Sequence, residues 1–362
     1  MIMLILSIIL LLLISFAGGT GTITLDSLLI TQVQDTSAPK ENSNAYIVTS
    51  MISRQGFFVD AGSSNDISHQ LISIYQQQVQ STSKPPQFVF ITHGHPDHIG
   101  SIALIQQLYP STPIYLISQQ AIKEAIQWID LYCRNNIYST AQCAVDYTKV
   151  LRTLTSPRTQ LIFDHPSVRL NTISNVIKGE SSYAGLLSLT TSSNNYFLFT
   201  GDSITIRSHM FISNFFDTEK LPSSDDALCA WAGSMQESVC TVKLGGRKPI
   251  ILPGHGTIST DSSYAKDVVM NIAWLRLVRR LTFNSCNATF IWAEMVRQYP
   301  DFAEASIGAK GALNTHVPAD ANSVNCNCVN GLPTICPVYH EPPSCLHLDR
   351  SDSQTTLACD MQ

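Results

Sequence analysis

Residues 87–92, Q-F-V-F-I-T, run directly into H-G-H-P-D-H at 93–98. A short apolar run of this kind reads as a buried strand, and a strand that ends in a loop delivers its last side chains to a sheet edge, where sites are assembled. Three of the chain's 10 histidines stand in these six positions, together with an aspartate. That density favours a metal over a helix start capped by Asp97 with stray histidines around it. His93 and His95 are two apart on one loop and can reach one ion together, while Asp97 and His98 can serve a second ion close by. Imidazole mixed with carboxylate suits Zn2+, with Fe or Mn as less decisive candidates.

The segments around this loop set the fold class. Upstream, T-I-T-L-D-S-L-L-I-T-Q-V-Q, N-A-Y-I-V-T-S-M and Q-G-F-F-V-D-A-G read as strands, and Ile67, Leu71, Ile74 and Tyr75 recur at helical spacing. Downstream come a helix over I-G-S-I-A-L-I-Q-Q-L-Y, a strand P-I-Y-L-I-S and a helix Q-Q-A-I-K-E-A-I-Q-W-I-D-L-Y. Strand alternating with helix predicts an α/β layered architecture. T-Q-L-I-F-D, S-V-R-L-N-T-I-S-N-V-I, G-L-L-S-L-T-T and Y-F-L-F-T-G-D are further strands, with S-S-N-N as the turn between the last two. A helix over D-A-L-C-A-W-A-G-S-M-Q-E-S-V, a strand K-P-I-I-L-P and a long amphipathic helix from Ser262 to Phe283 follow. From about residue 300, Pro, Cys and Asn dominate and periodicity vanishes.

The apolar leader, Ile2 to Phe16, is shorter than the ~20 residues a spanning helix needs, and Ala17, Gly18 and Gly19 resemble a signal-peptidase site. Its n-region lacks Lys and Arg, so an uncleaved anchor is the competing reading. The expected division is a signal peptide over 1–19, a catalytic domain over 20–299 and a disulfide-rich extension over 300–362, with secretion or residence in the secretory lumen. No later segment is expected to hold the chain in a membrane once the leader is removed. The 10 cysteines agree with an oxidising compartment. Cys133 with Cys143 and Cys229 with Cys240 are the short-loop pairings expected. Cys326, Cys328, Cys336, His340, Cys345 and His347 lack the C-x2-C spacing of structural zinc sites, so disulfides are preferred there. Asn287-Ala288-Thr289 is a glycosylation sequon. A net charge of −5 provides no broad basic face for nucleic acid. Oligomeric state is not legible.

H-G-H-P-D-H resembles the H-x-H-x-D-H signature of the metallo-β-lactamase superfamily, and the other pieces of that family's pattern follow in order. F-V-D-A-G supplies an early aspartate, Asp60, which orients the site in the family. L-F-T-G-D supplies the late aspartate, Asp202, which there bridges two metals, and L-P-G-H-G supplies His255, usually a ligand of the second metal. N-A-Y-I-V looks like the family's second strand. The resemblance covers roughly residues 22 to 280 and implies an αββα sandwich of two mixed sheets flanked by helices, with metals at one edge. It also implies a metal set of His93, His95, Asp97, His98, Asp202 and His255, with Asp97 and Asp202 as catalytic carboxylates.

One position departs from the pattern. Where many members place a histidine in a G-H-T-P-G-like stretch, this chain reads K-G-E-S-S-Y-A-G-L-L-S-L and offers Glu180. A carboxylate binds Zn2+ at a similar distance, and the alkylsulfatase-like branch of the family resembles this. His165 in F-D-H-P-S-V is the alternative; Glu180 is preferred because two strands and a turn fill its separation from Asp202.

The chemistry expected is hydrolysis: two divalent ions, zinc first by the imidazole and carboxylate donors, lower the pKa of a shared water. The substrate expected is an ester, thioester, lactone or similar small molecule. The alternative is a secreted, non-catalytic binding protein with a degenerate metal site. Asp202 and His255 stand too close in sequence for the inserted domain of nucleic-acid-processing relatives, and export argues against a persulfide-oxidising iron enzyme. Trp231 and Ser234 are expected in packing or solvent, and Arg279 and Arg280 at a solvated helix end. His209, His316, His340 and His347 are expected on the surface.

Overall fold

The computed structural model describes residues 20–35, 42–154, 168–173, 183–212, 249–259, 264–284 and 287–302, with short pieces at 163, 165, 180–181, 228, 231–233 and 235. The leader, Cys229 with Cys240, Ser234, most of T-Q-L-I-F-D and the extension beyond residue 302 with its histidines lie outside the described residues.

Seven strands form the first sheet in sequence order: β1 (Thr20–Leu25), β2 (Leu28–Gln34), β3 (Asn44–Ser50), β4 (Gly56–Val59), β5 (Val89–Phe90), β6 (Ile114–Leu116) and β7 (Leu151–Thr153). β1 to β4 pair antiparallel and β4 to β7 parallel. The second sheet runs β11 (Pro249–Pro253), β10 (Tyr196–Gly201), β9 (Leu186–Thr191), β8 (Val168–Ile173), with β10 and β11 parallel and the rest antiparallel. N-A-Y-I-V is thus the third strand of this chain. The described helices are α1 (Asn65–Val79), α2 (Pro96–Ile99), α3 (Ile102–Leu108), α4 (Gln119–Arg134), α5 (Thr140–Cys143), α6 (Tyr147–Val150), α7 (Tyr264–Asn284) and α8 (Ala288–Gln298).

The two sheets pack face to face. Leu170, Leu187, Leu189, Phe197 and Phe199 of the second join Ile30, Ile47, Phe58 and Val89 of the first in one core. Tyr46 meets Phe199 edge-on at 5.4 Å. On the outer face of the first sheet, α1 contributes Ile67, Leu71, Ile72, Tyr75 and Val79, a helical stripe read along one side. Trp274, Leu275 and Val278 of α7 and Ile291 and Met295 of α8 gather in a second cluster with Ile251 of β11. Because helices cover both outer faces, β3 and β10 are buried along their whole length rather than alternating in and out. The result is the αββα sandwich expected.

Parallel neighbours end on the same side, so β4, β5 and β6 deliver their C-terminal loops together, as β10 and β11 do. Hydrogen bonds stitch the two sheets at this edge: Asn44 Nδ2 donates to the carbonyls of Pro253 and Gly256, both at 2.9 Å, Tyr46 Oη to that of Pro253 at 2.7 Å, and Gly185 N to that of Thr92 at 2.8 Å. A disulfide joins Cys133 to Cys143, the first of the expected pairings. The loop it closes reaches the edge: Tyr138 Oη donates to Pro96 O at 3.1 Å and Gln142 Nε2 to Gly100 O at 2.8 Å, bracketing α2. Among the described residues, no helix is long and apolar enough to cross a membrane.

Candidate metal centre

His93 and His95 sit on the loop after β5, and Asp97 and His98 on α2, which starts at Pro96 with His95 as its N-cap residue. Proline suits that first helical position because its missing N–H would have no partner in the helix. Asp202 follows β10 directly, and Gly254 and His255 follow β11. Gly254 is required by proximity: a Cβ there would lie 2.0 Å from Asp202 Oδ1. Gly94 is likewise pressed against α4, where a Cβ would stand 2.6 Å from Ala125 N.

These side chains converge in two groups. His93, His95, Glu180 and Asp202 form one, and Asp97, His98, Asp202 and His255 the other; within each, one potential ligand atom per residue lies within 4.8 Å of all the rest. Asp202 belongs to both. Its Oδ2 is 3.1 Å from His255 Nε2 and 3.7 Å from His93 Nε2, and its Oδ1 is 3.2 Å from His98 Nε2. Asp97 Oδ2 lies 3.2 Å from His98 Nε2 and 3.1 Å from His255 Nε2. Glu180 Oε1 is 2.7 Å from His95 Nδ1. All seven residues are buried.

Asp60 holds the motif from behind. It accepts from Thr92 N at 2.8 Å and from Thr92 Oγ1, and its Oδ2 is 2.9 Å from His98 Nδ1. Its φ of 58° lies in the left-handed region that aspartate tolerates better than most residues, and it turns the carboxylate back beneath the motif. Thr92 Oγ1 also lies 3.1 Å from His93 Nδ1. His165, the alternative to Glu180, is elsewhere. It is buried, stacks on Phe163 and acts on Asp26. Asp26 pairs with Ser193 and Asn195 in the turn before β10. That turn is separated from Asp202 by the whole of β10, about 20 Å at the usual rise.

The electrostatics are self-contained. Burial opposes charge on His98 and His255, yet Asp97 and Asp202 beside them hold both well above the ordinary imidazole value. Burial also pushes Asp97 and Asp202 upward, but the same two histidines reverse this and leave both carboxyls below their usual range. Burial keeps His93 and His95 low, with His98 adding to the effect. Glu180 is raised well above the carboxylate range by burial and then by Asp202.

The residues fit divalent ions. Buried polar atoms are normally hydrogen-bonded, but His93 Nε2, His98 Nε2 and Asp202 Oδ1 make no hydrogen bond while facing one another. Orphaned imidazole and carboxylate atoms grouped in this way are what divalent metal ions coordinate.

Two neighbours are absent from the sequence reading. Glu124 of α4 is buried with Oε1 3.9 Å from His95 Nε2, and Ser181 Oγ donates to its Oε2 at 2.5 Å. A signal existed, since Glu124 falls on the apolar stripe between Ala121 and Trp128. His209 is corrected: it is buried, not on the surface. Its Nδ1 accepts from Trp274 Nε1 at 3.1 Å, and its ring meets Trp292 and Phe302. Trp231 packs as expected, its Nε1 donating to Ser203 O at 3.0 Å.

Residues 38–119 match the family model described as the metallo-beta-lactamase superfamily. The matched span contains Asp60 and the H-G-H-P-D-H motif and stops before Glu124, Glu180, Asp202 and His255. No curated protein matches the chain. Similar solved structures include a metallo-beta-lactamase from Pontibacter korlensis, 14% identical, covering 71% of this chain and 99% of that one with a TM-score of 0.45. Another is a metallo-beta-lactamase from Hirschia baltica, 12% identical, covering 71% and 98% with a TM-score of 0.44. A third is the metallo-beta-lactamase FIM-1 from Pseudomonas aeruginosa in its mono-zinc form, 11% identical, covering 71% and 95% with a TM-score of 0.46.

Proposed function

We propose that this chain, a member of the metallo-beta-lactamase superfamily by its residues 38–119, is a secreted binuclear zinc hydrolase acting on an ester, thioester, lactone or similar small molecule. The observation that carries the reading is the pair of four-residue ligand groups sharing Asp202. Ions held there supply an ionisable water near neutral pH and a Lewis acid for charge developing on a substrate oxygen.

The chain's own groups do the rest. Asp202 faces His93 on one side and His98 with His255 on the other, and so fixes the spacing of the two groups. Asp97 and Asp202 are the carboxylates in contact with His98 and His255 and stay ionised among them, so both can accept a hydrogen bond from a nucleophile and orient it. Asp60 locks His98 from the opposite ring nitrogen. Trp128 stands edge-on to His95 at 5.3 Å and Phe211 at 6.0 Å, so aromatic rings hold the His95 imidazole in place. Glu180, an anion when it ligates where a neutral imidazole stands in many relatives, would donate more charge to an ion held there and leave it the weaker Lewis acid. Secretion is supported by the leader and by the Cys133–Cys143 bridge.

The test is elemental analysis of secreted protein purified without chelator or immobilised metal, followed by turnover on a panel of esters, thioesters and lactones. Two zinc ions per chain with chelator-sensitive turnover is the expected result. A chain that binds no metal after reconstitution, or a fully loaded chain inert across the panel, refutes the hydrolase reading and favours the binding-protein alternative.

A further inference from the structure

The three motif histidines do not face the centre with the same nitrogen. His93 and His98 turn Nε2 inward, and their outer Nδ1 atoms meet Thr92 Oγ1 at 3.1 Å and Asp60 Oδ2 at 2.9 Å. His95 is reversed: its Nδ1 lies 2.7 Å from Glu180 Oε1, while its Nε2 points outward and makes no hydrogen bond. An ion held by the first group takes the Nδ1 lone pair, and a neutral imidazole then carries its proton on Nε2. That buried N–H needs an acceptor, and the group facing it is Glu124 Oε1, 3.9 Å away.

Glu124 is built for this position. A carboxylate 3% exposed is costly to bury unless it is partnered. On α4 it shares the buried face with Ala121, Ile122, Ala125, Trp128 and Ile129. Ser181 Oγ anchors Oε2, and Oε1 is the oxygen aimed at His95. Ser181 adjoins Glu180, so one segment delivers both a ligand for the ion and the anchor for the carboxylate. Gly94 lets α4 approach the motif at backbone contact beside Ala125, the neighbour of Glu124, and so brings Glu124 up to His95.

We propose that Glu124 is the positioning residue for His95: when the first ion is bound, its Oε1 closes from 3.9 Å to accept a hydrogen bond from Nε2–H, the part Asp60 plays for His98 from the other side. A carboxylate behind a ligating histidine fixes its tautomer and ring angle and raises its basicity. The inference rests on the metal-centre reading above.

Glu124→Gln retains the size of the side chain and a partner for Ser181 but removes the charge. Stepwise Co2+ binding, read by visible absorption under chelator competition, should show one ion weakened by about 10- to 100-fold. The affinity of the other ion and the melting temperature of the metal-free protein should stay at wild-type values. Ser181→Ala, which leaves the carboxylate but frees it to turn, should weaken the same ion by a smaller factor, and it carries the test if Glu124→Gln fails to fold. Unchanged Co2+ affinity and spectrum in the variant that folds overturns the role of Glu124 while the metal centre stands. So does equal weakening of both ions with a lowered metal-free melting temperature, the mark of a structural role. Wild-type protein that binds no Co2+ overturns both readings.

Discussion

Loading the centre with zinc should expel protons, and the number follows from which groups hold them beforehand. In the metal-free chain His98 and His255 are raised well above the ordinary imidazole value, against the pull of burial, by Asp97 and Asp202. Glu180 is raised by burial and by Asp202. His93 and His95 are held low and Asp97 and Asp202 are already ionised, so these four present free lone pairs at neutral pH. His98, His255 and Glu180 are the groups whose shifts favour the protonated form, so up to three protons leave as they ligate. The sign is fixed: lowering pH keeps those protons on, so affinity falls with acid and climbs with pH until the folded values are passed. Each displaced proton is worth about 1.4 kcal/mol per pH unit. The combined affinity for two ions should therefore change by up to about 4 kcal/mol, or roughly a thousandfold, per unit across that window. Calorimetric titration with Zn2+ at pH 7, repeated in buffers of different ionisation enthalpy, reads the protons directly as the slope of heat against buffer enthalpy. A slope near zero, with affinity flat from pH 6 to 8, would refute this assignment of protons.

Replacing both Cys133 and Cys143 by serine opens a loop of sequence separation 10; chain entropy predicts a loss of about 3 kcal/mol, which urea unfolding measures, and a loss below about 1 kcal/mol would contradict it. His209 is lowered to about 4 by burial, so the unfolded chain binds the extra proton as pH drops below about 6.5 and stability falls between there and pH 4, by up to about 3 kcal/mol. His209→Phe should flatten that part of the urea-midpoint-versus-pH curve, and an unchanged slope would sink the claim. Gly94→Ala puts a Cβ 2.6 Å from Ala125 N; the displaced α4 should cost about 1–3 kcal/mol and weaken zinc binding, whereas wild-type affinity by chelator competition would show that the contact yields freely.

Much of the edge was legible because it is made of strand ends. His93 to His98 announced themselves by density, and Asp60, Asp202 and His255, each weak alone, gained force from standing in order after β4, β10 and β11. Glu180 could be preferred over His165 by counting strands, and the second sheet now separates His165 from Asp202 by the length of β10. The misses lie where one element covers another. His209 reads as surface because nothing near it in sequence encloses it; the rings around it come from α7, α8 and Phe302. α8 itself was hidden by the residue before it: Asn287, read as part of a sequon, is the N-cap, and its Oδ1 accepts from Phe290 N at 3.0 Å.

Glu124 marks a different boundary. A carboxylate on an apolar stripe is visible in a helical projection, and burial demands that something satisfy it. The identity of that partner depends on the ring orientation of His95, which depends in turn on where Glu180 enters from a separate segment. Spacing within H-G-H-P-D-H is the same whichever nitrogen faces the ion, so the motif alone assigns His95 a ligand role and leaves its outward nitrogen without an acceptor. Only the packing of α4 against Gly94 brings the two together, which is why a residue so close to the centre carries no motif of its own.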